Sequence, residues 1–242
     1  MIALVTGGAR GIGRTISKKL HSLGYTVCVN YNKSKDMAES LEKELKDRVF
    51  TVQADISKEE EVYAMVDKIV EKYGKIDVLV NNAAVCIDAM FQDKTVKNFK
   101  KTLDTNVVGT FIVSRAVGEI MYENKYGKIV NLSSTNGINS YFPMCIDYDA
   151  SKAAIISLTH NLAIQFAPYV NVNAIAPGFI ATESEIDGVD EDFIKMEEEK
   201  ILLRRAGTED DVANLVKFLI SDDASFINNS VIRIDGGTYG SN

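Results

Sequence analysis

Short apolar runs alternate with longer amphipathic stretches along the whole chain. The apolar runs are rich in Val and Ile and mostly continuous, as expected for strands buried on both faces of a parallel sheet. They are Ile2–Val5, Thr26–Asn30, Val49–Gln53, Asp77–Val80, Lys128–Leu132, Val170–Ile175 and Val231–Ile234. Between them, stretches such as Ile12–Leu23 and Glu59–Tyr73 place their apolar residues on one helical stripe.

This repetition predicts one doubly wound α/β domain over residues 1–242, a Rossmann-type fold with a seven-stranded parallel sheet and helices on both faces. No linker rich in Pro, Gly or Ser interrupts the pattern. Two long helices, predicted over Lys101–Asn124 and Tyr148–Ala167, carry more apolar surface than one sheet face needs to cover.

The composition excludes several classes of protein. A chain of 242 residues that is 46% hydrophobic and 25% charged is typical of a soluble globular protein, not of a disordered one. The net charge of −7 leaves no global basic surface for nucleic acid. No apolar run approaches the roughly 18 residues that span a bilayer, and the first residues do not resemble a secretory signal. Neither nucleic acid nor a membrane is therefore an expected partner.

The few cysteines and histidines limit the candidate chemistry. Cys28, Cys86 and Cys145 are far apart in the sequence and form no Cys-x-x-Cys motif, and the chain has only two His. We therefore expect neither a metal site nor a catalytic triad built on His. Scattered cysteines also favour a reducing cytoplasm.

A glycine-rich turn follows the first predicted strand directly and opens the first predicted helix. Its sequence, from Thr6 to Gly13, is TGGARGIG. Such glycines permit a tight turn and bring the backbone and the helix N-terminus close to a pyrophosphate. The turn predicts a dinucleotide site that includes Gly7, Arg10, Gly11, Ile12 and Gly13.

The residues at the end of the second strand indicate which nicotinamide cofactor binds. An NAD enzyme normally presents Asp or Glu about 20 residues after the turn, on the ribose 2′-hydroxyl. Here no acid precedes Asp36, while Asn30 and Asn32 can donate hydrogen bonds to a 2′-phosphate. Arg10 and Lys33 add positive charge, and charge-assisted bonds to phosphate are strong. We therefore expect NADPH rather than NADH.

Tyr148 and Lys152 are four residues apart and project from the same face of a predicted helix. A cation held near a phenol favours the phenolate, which makes the phenol usable as a general acid and base. The spacing alone is common on helices, so its meaning depends on the other motifs around it.

Those motifs occur in a fixed order: TGGARGIG, Asn81-Asn82-Ala83-Ala84, Asn106, Ser134, the Tyr148/Lys152 pair and Pro177-Gly178. Together they resemble the short-chain dehydrogenase/reductase family over essentially the entire chain. The nearest subgroup is that of the bacterial 3-oxoacyl-(acyl-carrier-protein) reductases, to which the terminal Ile234-Asp235-Gly236-Gly237 is also similar.

The resemblance implies a role for each matching residue. Tyr148 would exchange a proton with the substrate oxygen, and Ser134 would hold that oxygen in place. Lys152 would bind the nicotinamide ribose, and Asn106 would bind a water that links Lys152 to solvent. The remaining cofactor contacts that it implies are Asp55 and Ile56 at the adenine, Asn82, Ala83 and Ala84 along the cofactor, and Pro177, Gly178, Ile180 and Thr182 at the nicotinamide.

The chain departs from the family's pattern in three places. Ala84 stands where Gly is commonest, and the separation of Ser134 from Tyr148 is one residue longer than expected, with Ser133 as the fallback for Ser134. The segment Phe166–Val170 lacks the basic residue that helps some relatives dock their carrier. The last departure affects the substrate and not the class of reaction.

Substrate signals in the sequence remain ambiguous. Lys97, Lys100 and Lys101 share a helical face, with Lys94 just before it; they form either a docking patch for an acidic carrier or a plain solvated face. The segment Ala181–Leu203 is the expected lid. Met90, Phe91, Tyr141, Phe142 and Met144 either line an apolar substrate pocket or simply pack in the core. Cys86 and Cys145 are expected near them.

Three functions therefore stay open. The first is an NADPH-dependent ketoreductase acting on a 3-oxoacyl thioester carried by an acyl carrier protein, in fatty acid synthesis. The second is a dehydrogenase of a sugar, polyol or other small alcohol, and the third is a non-catalytic protein that senses NADP(H). The resemblance also implies a homotetramer built on the two long helices.

Overall fold

Seven parallel strands form one sheet in the computed structural model, which describes residues 1–182 and 190–238. The strands are β1 (Ile2–Val5), β2 (Thr26–Tyr31), β3 (Val49–Gln53), β4 (Val78–Asn81), β5 (Gly127–Leu132), β6 (Val170–Pro177) and β7 (Val231–Ile234). Their order in the sheet is β3-β2-β1-β4-β5-β6-β7. Part of the predicted lid, residues 183–189, lies outside the described residues.

Helices cover both faces of the sheet, as the alternation of runs predicts. They are α1 (Gly11–Ser22), α2 (Lys35–Leu45), α3 (Glu59–Tyr73), α4 (Val96–Leu103), α5 (Thr110–Glu123), α6 (Ile146–Gln165), α7 (Glu191–Glu199) and α8 (Glu209–Ile220). One core joins α1, α2 and α8 to the sheet, and the other joins α3, α5 and α6. In β1, Ala3 and Val5 face the first core while Ile2 and Leu4 face the second, which explains the unbroken apolar run.

The prediction of one continuous helix over Lys101–Asn124 is wrong. A π-helical segment, Asp104–Gly109, separates α4 from α5. At its end Gly109 packs against the loop after β3, where an added Cβ would lie 2.8 Å from Cγ1 of Ile56. Irregular helical turns of this kind often occur at functional sites.

The strand order creates a crevice at one edge of the sheet. The chain runs outward from β1 through β2 to β3, then returns to place β4 on the other side of β1. Ligands of open α/β sheets bind at such a reversal, outside the carboxyl ends of the strands. Among the helices of the described residues, none has both the length and the apolar character needed to cross a bilayer.

Candidate active site

The glycine turn closes tightly over the ends of β1 and β4. Gly7 has a φ of +60°, and a Cβ there would lie 3.0 Å from Cα of Ala83. Oγ1 of Thr6 accepts hydrogen bonds from the amides of Asn82 and Ala83, at 3.0 and 3.1 Å. The side-chain amide of Asn82 donates in turn to the carbonyls of Thr6 and Gly7. The two strand ends are thereby fixed to each other beneath the crevice.

The first turn of α1 offers backbone N–H groups to a ligand. The helix begins after Arg10, whose side chain does not cap it, and its first turn contains no acidic residue. A Cβ at Gly13 would collide with the side chain of Asn82 and the carbonyl of Gly7. The amides of a first helical turn have no carbonyl partner one turn earlier, so this end of α1 suits an anion such as a pyrophosphate.

The structure changes the predicted part of Asn30. Its side chain is only 2% exposed, and its Nδ2 donates to the carbonyl of Ala54 at 3.0 Å. Its Oδ1 accepts from the amide of Gly7 at 3.3 Å. Although Asn30 lines the crevice, its amide supports the turn and is not directed at a 2′-phosphate. Asn32 and Lys33 are exposed at the same rim. Of the three residues predicted at the end of β2, these two can therefore contact a 2′-phosphate.

Asp55 lies at the end of the crevice where the adenine is expected. Burial raises the pKa of its carboxyl, but hydrogen bonds from Ser57 and from Asn32 outweigh burial and leave the pKa below its usual value. The bonds from Ser57 come from its amide at 3.0 Å and its hydroxyl at 2.7 Å. Asp55 is therefore an ionised acceptor at neutral pH.

Tyr148 and Lys152 meet on α6, as their spacing predicts. Nζ of Lys152 lies 5.3 Å from the centre of the Tyr148 ring and donates to the carbonyl of Leu132 at 2.7 Å. The lysine is 4% exposed, and this burial lowers its pKa to about 8. The ammonium form therefore predominates at neutral pH, but by a narrower margin than on the surface.

Ser134, not Ser133, has its hydroxyl on the crevice side. Oγ of Ser133 is turned inward and donates to the carbonyl of Lys152 at 2.8 Å. Oγ of Ser134 accepts from the amide of Asn136 at 3.2 Å and has only long contacts, of 3.4 and 3.5 Å, to Asn136 Oδ1 and the Pro177 carbonyl. Its hydrogen is therefore held weakly and remains available to a substrate.

Asn106 lies behind the wall of the crevice. It is 1% exposed, and its amide pairs with the backbone of Val85, accepting at 2.8 Å and donating at 3.0 Å. Its second N–H bonds Oγ of Ser151 at 2.9 Å. The side chain thus joins the segment after β4 to the first turns of α6. A water relay through Asn106 stays a prediction, and it would have to use groups other than this amide.

A buried ion pair beside Tyr148 was not foreseen from the sequence. Nζ of Lys94 lies 2.7 Å from Oδ1 of Asp147, with side-chain exposures of 4% and 0%. Thr102 donates to the other carboxylate oxygen at 2.7 Å, and Lys94 also donates to the carbonyl of Ile87. Burial raises the pKa of Asp147, but the bonds from Lys94 and Thr102 prevail and lower it. Lys94 therefore does not belong to the surface patch of lysines.

Asp149, on the other side of Tyr148, organises the loop that the sequence shows to be longer than expected. Its carboxylate accepts from Nδ2 of Asn136 at 2.7 Å and from the amide of Phe142 at 3.1 Å. The sequence indicates this role only in that Asp149, like Asp147, lies in the first turn of a helix, where negative charge is favoured.

The predicted site residues, with one exception, line a single open cleft of about 2270 Å³. They are Gly7, Arg10, Gly11, Ile12, Gly13, Asn30, Asn32, Lys33, Asp55, Ile56, Asn82, Ala83, Ala84, Ser134, Tyr148, Lys152, Pro177, Gly178, Ile180 and Thr182; Asn106 is the exception. Gly178 packs closely here, since an added Cβ would lie 2.6 Å from Cβ of Asp235.

The predicted apolar pocket is only partly confirmed. Tyr141 and Phe142 line the cleft, whereas Met90, Phe91 and Met144 do not. Met90 and Phe91 are exposed, so their apolar character does not come from packing in the core. On the opposite wall, Phe193 and Ile201, which lie in and just after α7, supply apolar surface.

Fold and site together define a dinucleotide-dependent oxidoreductase. The family described as "Enoyl-(Acyl carrier protein) reductase" matches residues 7–239. The chain belongs to the short-chain dehydrogenase/reductase family, whose members are NAD(P)-dependent oxidoreductases acting on CH–OH and carbonyl groups.

Relatives of known name cover nearly the whole chain. The 3-oxoacyl-[acyl-carrier-protein] reductase FabG of Staphylococcus epidermidis is 39% identical over 241 residues, 98% of each protein. Glucose 1-dehydrogenase 2 of Bacillus subtilis is 34% identical, with coverage of 97% of this chain and 93% of the enzyme. A solved structure described as "ElxO with NADP Bound" is 33% identical, with a TM-score of 0.90 and coverage of 97% of both chains.

Proposed function

We propose that this protein is an NADPH-dependent ketoreductase that reduces the 3-oxo group of an acyl thioester carried by an acyl carrier protein. The observation that carries the proposal is the grouping of Tyr148, Ser134 and the buried Lys152 at the carboxyl ends of β5 and β6. A proton donor, a hydroxyl with weakly held hydrogen and a cation meet there beside a dinucleotide crevice.

The proton chemistry follows from these three side chains. NADPH, when bound, supplies the hydride that adds to the carbonyl carbon. Negative charge then develops on the carbonyl oxygen, to which the Tyr148 hydroxyl donates its proton. Ser134 donates a hydrogen bond to the same oxygen and holds it within reach. Lys152 favours the phenolate that Tyr148 becomes and offers its remaining N–H groups to the nicotinamide ribose.

Charge at the rim supports NADPH over NADH. Arg10 and Lys33 are exposed at the end of the cleft that would hold the adenosine 2′-phosphate, and the first acid after β2 is the exposed Asp36. The solved relative that is 33% identical is described with NADP bound. The residues that directly follow β2 and line this end, Asn32, Lys33 and Ser34, include no acid that could bind the ribose 2′-hydroxyl, the usual mark of NAD specificity.

The carrier-bound substrate is supported by exposed lysines at the cleft. Lys97, Lys100 and Lys101 are exposed on α4 and line its rim, which suits an acidic partner despite the net charge of −7. The relative at 39% identity is named as a reductase of 3-oxoacyl carrier substrates.

Free thiols at Cys28, Cys86 and Cys145 agree with the cytoplasmic location that we propose.

A homotetramer built on α5 and α6 completes the proposal. Val108, in the π-helical segment, Phe111, at the start of α5, and Ile164, near the end of α6, are exposed apolar residues, 43%, 44% and 73% accessible in the single chain. Pairing of these helices between subunits would cover them.

The second candidate is a dehydrogenase of a sugar or other small alcohol. It is favoured by the relative named glucose 1-dehydrogenase at 34% identity and by the polar residues Ser140 and Asn139 in the substrate wall. The chemistry at Tyr148 would be unchanged, and only the pocket would differ.

Oxidation of NADPH and NADH, followed by absorbance with a set of carbonyl substrates, separates these functions. We expect acetoacetyl thioesters of the carrier or of its pantetheine arm to be reduced faster than simple ketones, and NADPH to exceed NADH in kcat/KM. Turnover of glucose with NADP⁺, without reduction of any thioester, would favour the second candidate. Preference for NADH would contradict the assignment of Arg10 and Lys33.

A further inference from the structure

Two cysteines that are 59 positions apart in the chain meet at the substrate end of the cleft. Sγ of Cys86 and Sγ of Cys145 lie 3.1 Å apart, and both approach the same oxygen, Oδ1 of Asp88, at 3.1 and 3.0 Å. All three residues line the cleft together with Tyr148. Within residues 1–182 and 190–238, no other group of three His, Cys, Asp or Glu side chains is arranged so that it can share one metal ion.

This grouping joins two loops that otherwise belong to different parts of the chain. Cys86 and Asp88 follow β4, and Cys145 precedes α6 by one residue. The loops are also tied by the hydrogen bond from the amide of Ala89 to the carbonyl of Met144 at 3.2 Å, and by the Lys94–Asp147 pair. The backbone that carries the three side chains is therefore held in place by contacts independent of them.

The donor set suits a thiophilic divalent cation. Zn²⁺ readily binds two thiolates and a carboxylate. Cys86 and Asp88 come from one three-residue segment, and Cys145 comes from a distant part of the chain. A zinc ion about 2.3 Å from each sulfur in tetrahedral geometry holds the sulfurs about 3.8 Å apart. The present spacing of 3.1 Å needs to widen by less than 1 Å, and Cys86 and Asp88 are exposed enough to move by that amount.

A disulfide is the competing outcome, and the carboxylate opposes it. The thiolate is the attacking species in disulfide formation. Here both thiols donate hydrogen bonds to the same oxygen of Asp88, at 3.1 and 3.0 Å. A carboxylate that accepts from both thiols has no part in a disulfide, whereas it supplies the third ligand of a cation that displaces the two thiol protons.

We propose that Cys86, Asp88 and Cys145 form a binding site for a divalent thiophilic cation, with Zn²⁺ as its natural class of occupant. The three ligands leave a fourth position open to the cleft. Occupation would cross-link the loop after β4 to the loop before α6, three residues from Tyr148, and so close the route by which substrate reaches the phenol. This consequence for catalysis, but not the binding itself, rests on the proposed function.

Titration of the reduced, cofactor-free protein with Co²⁺ tests the site. Free thiols are counted first, and three per chain are expected. We expect thiolate-to-cobalt charge-transfer absorbance and the visible bands of a tetrahedral site, saturating at one Co²⁺ per chain and lost on addition of Zn²⁺. Cys86→Ala and Cys145→Ala should each weaken binding at least tenfold, and Asp88→Asn should weaken it while its thiols remain countable.

Cys28→Ala is the matched control, because Cys28 is buried in β2, away from the cleft. It should keep the full cobalt spectrum. Absence of thiolate–cobalt absorbance in the wild type with three countable thiols would overturn the proposal, as would an unchanged spectrum in Cys86→Ala. A Cys86–Cys145 disulfide that forms in air even in the presence of Zn²⁺ would also overturn it.

A second readout concerns activity. Zn²⁺ should inhibit the wild-type reductase reversibly, with recovery on addition of a chelator, and Cys86→Ala should resist the same concentration. The cobalt spectrum does not depend on turnover, so a protein that binds Co²⁺ at these ligands but reduces no thioester would contradict the proposed function and leave the metal site standing.

Discussion

The ion pair between Lys94 and Asp147 shows how single residues hold Tyr148, the proposed proton donor, in place. Asp147 is adjacent to Tyr148 in the chain and fully buried, so its charge must be matched inside the protein. Lys94 supplies that match and at the same time binds the carbonyl of Ile87, while Thr102 satisfies the second carboxylate oxygen. The first turn of α6 is thereby attached to the segment before α4 and to the last turn of α4.

We predict that Lys94→Met destabilises the protein by about 3–5 kcal/mol, because it leaves the buried Asp147 carboxylate without its partner. Denaturant unfolding measures this loss. The double variant with Asp147→Asn should recover a large part of it, since no charge is then buried alone. Lys97→Met is the control on the same helix region, where the lysine is exposed, and it should change stability by no more than about 0.5 kcal/mol.

The buried Lys152 predicts the pH dependence of reduction. Burial lowers its pKa from the ordinary 10.5 to about 8, so the charged form is lost as the pH rises through about 8. In the proposed mechanism the ammonium is the form that favours the phenolate and binds ribose, so kcat/KM for reduction should fall above that pH. A pH profile of NADPH-dependent reduction checks this. A rate that stays constant up to pH 10 would contradict the role given to Lys152.

At the residue scale, local motifs were predictable and long-range contacts were not. Tyr148, Lys152 and the glycines of the turn belong to short patterns that are legible in the sequence. The positions of Asn30 and Cys145 depend on neighbours such as Ala54 and Cys86, which only the folded chain brings near. Residue type alone therefore gave Asn30 a ligand-binding role that its buried amide does not have.

Helices α5 and α6 pack closely enough to require glycine at one point. A Cβ on Gly118 would overlap Cε2 and Cζ of Phe166 and lie 3.0 Å from its Cδ2. Phe166 is itself buried, at 5% exposure. This contact sets the distance between the helix that follows Asn106 and the helix that carries Tyr148.

We predict that Gly118→Ala is destabilising even though alanine favours helices. The gain in helix propensity is about 1 kcal/mol, and overpacking of a rigid buried contact costs about 1–3 kcal/mol. Thermal unfolding should therefore show a lowered midpoint. Glu119→Ala, at the next and exposed position, gains propensity without a clash and loses only a surface ion pair with Arg115, so it should leave the midpoint nearly unchanged. An increase for Gly118→Ala would mean that Phe166 moves freely.

At the element scale, hydrophobic periodicity predicted every strand, and the helices α1, α3 and α6, to within two residues. It failed at the π-helical segment between α4 and α5, because apolar spacing records an average period and not a local change in hydrogen bonding. The segment also brings Gly109 close to Ile56, a contact between distant parts of the chain that apolar spacing does not record. The parallel sheet order, by contrast, follows from alternation of strands and helices with few other choices.

At the scale of the whole molecule, a protein with a net negative charge has to bind an anionic cofactor. We propose that a chain of net charge −7 binds phosphate through a local arrangement: the N-terminus of α1, with no acid in its first turn, and exposed cations at Arg10 and Lys33. The crevice at the strand-order reversal brings this phosphate site within one cleft of Tyr148. Hydride transfer and proton transfer can then occur at opposite ends of the same carbonyl group.

The most direct test of this account is the Tyr148→Phe variant, measured for both NADPH binding and reduction of an acetoacetyl thioester. Loss of the phenolic proton should lower kcat by about 10²–10⁴-fold, the range that a general acid contributes. The dissociation constant for NADPH, measured by fluorescence of the bound nicotinamide, should stay within a few-fold of the wild type. Reduction at an undiminished kcat by a folded Tyr148→Phe protein would contradict the mechanism.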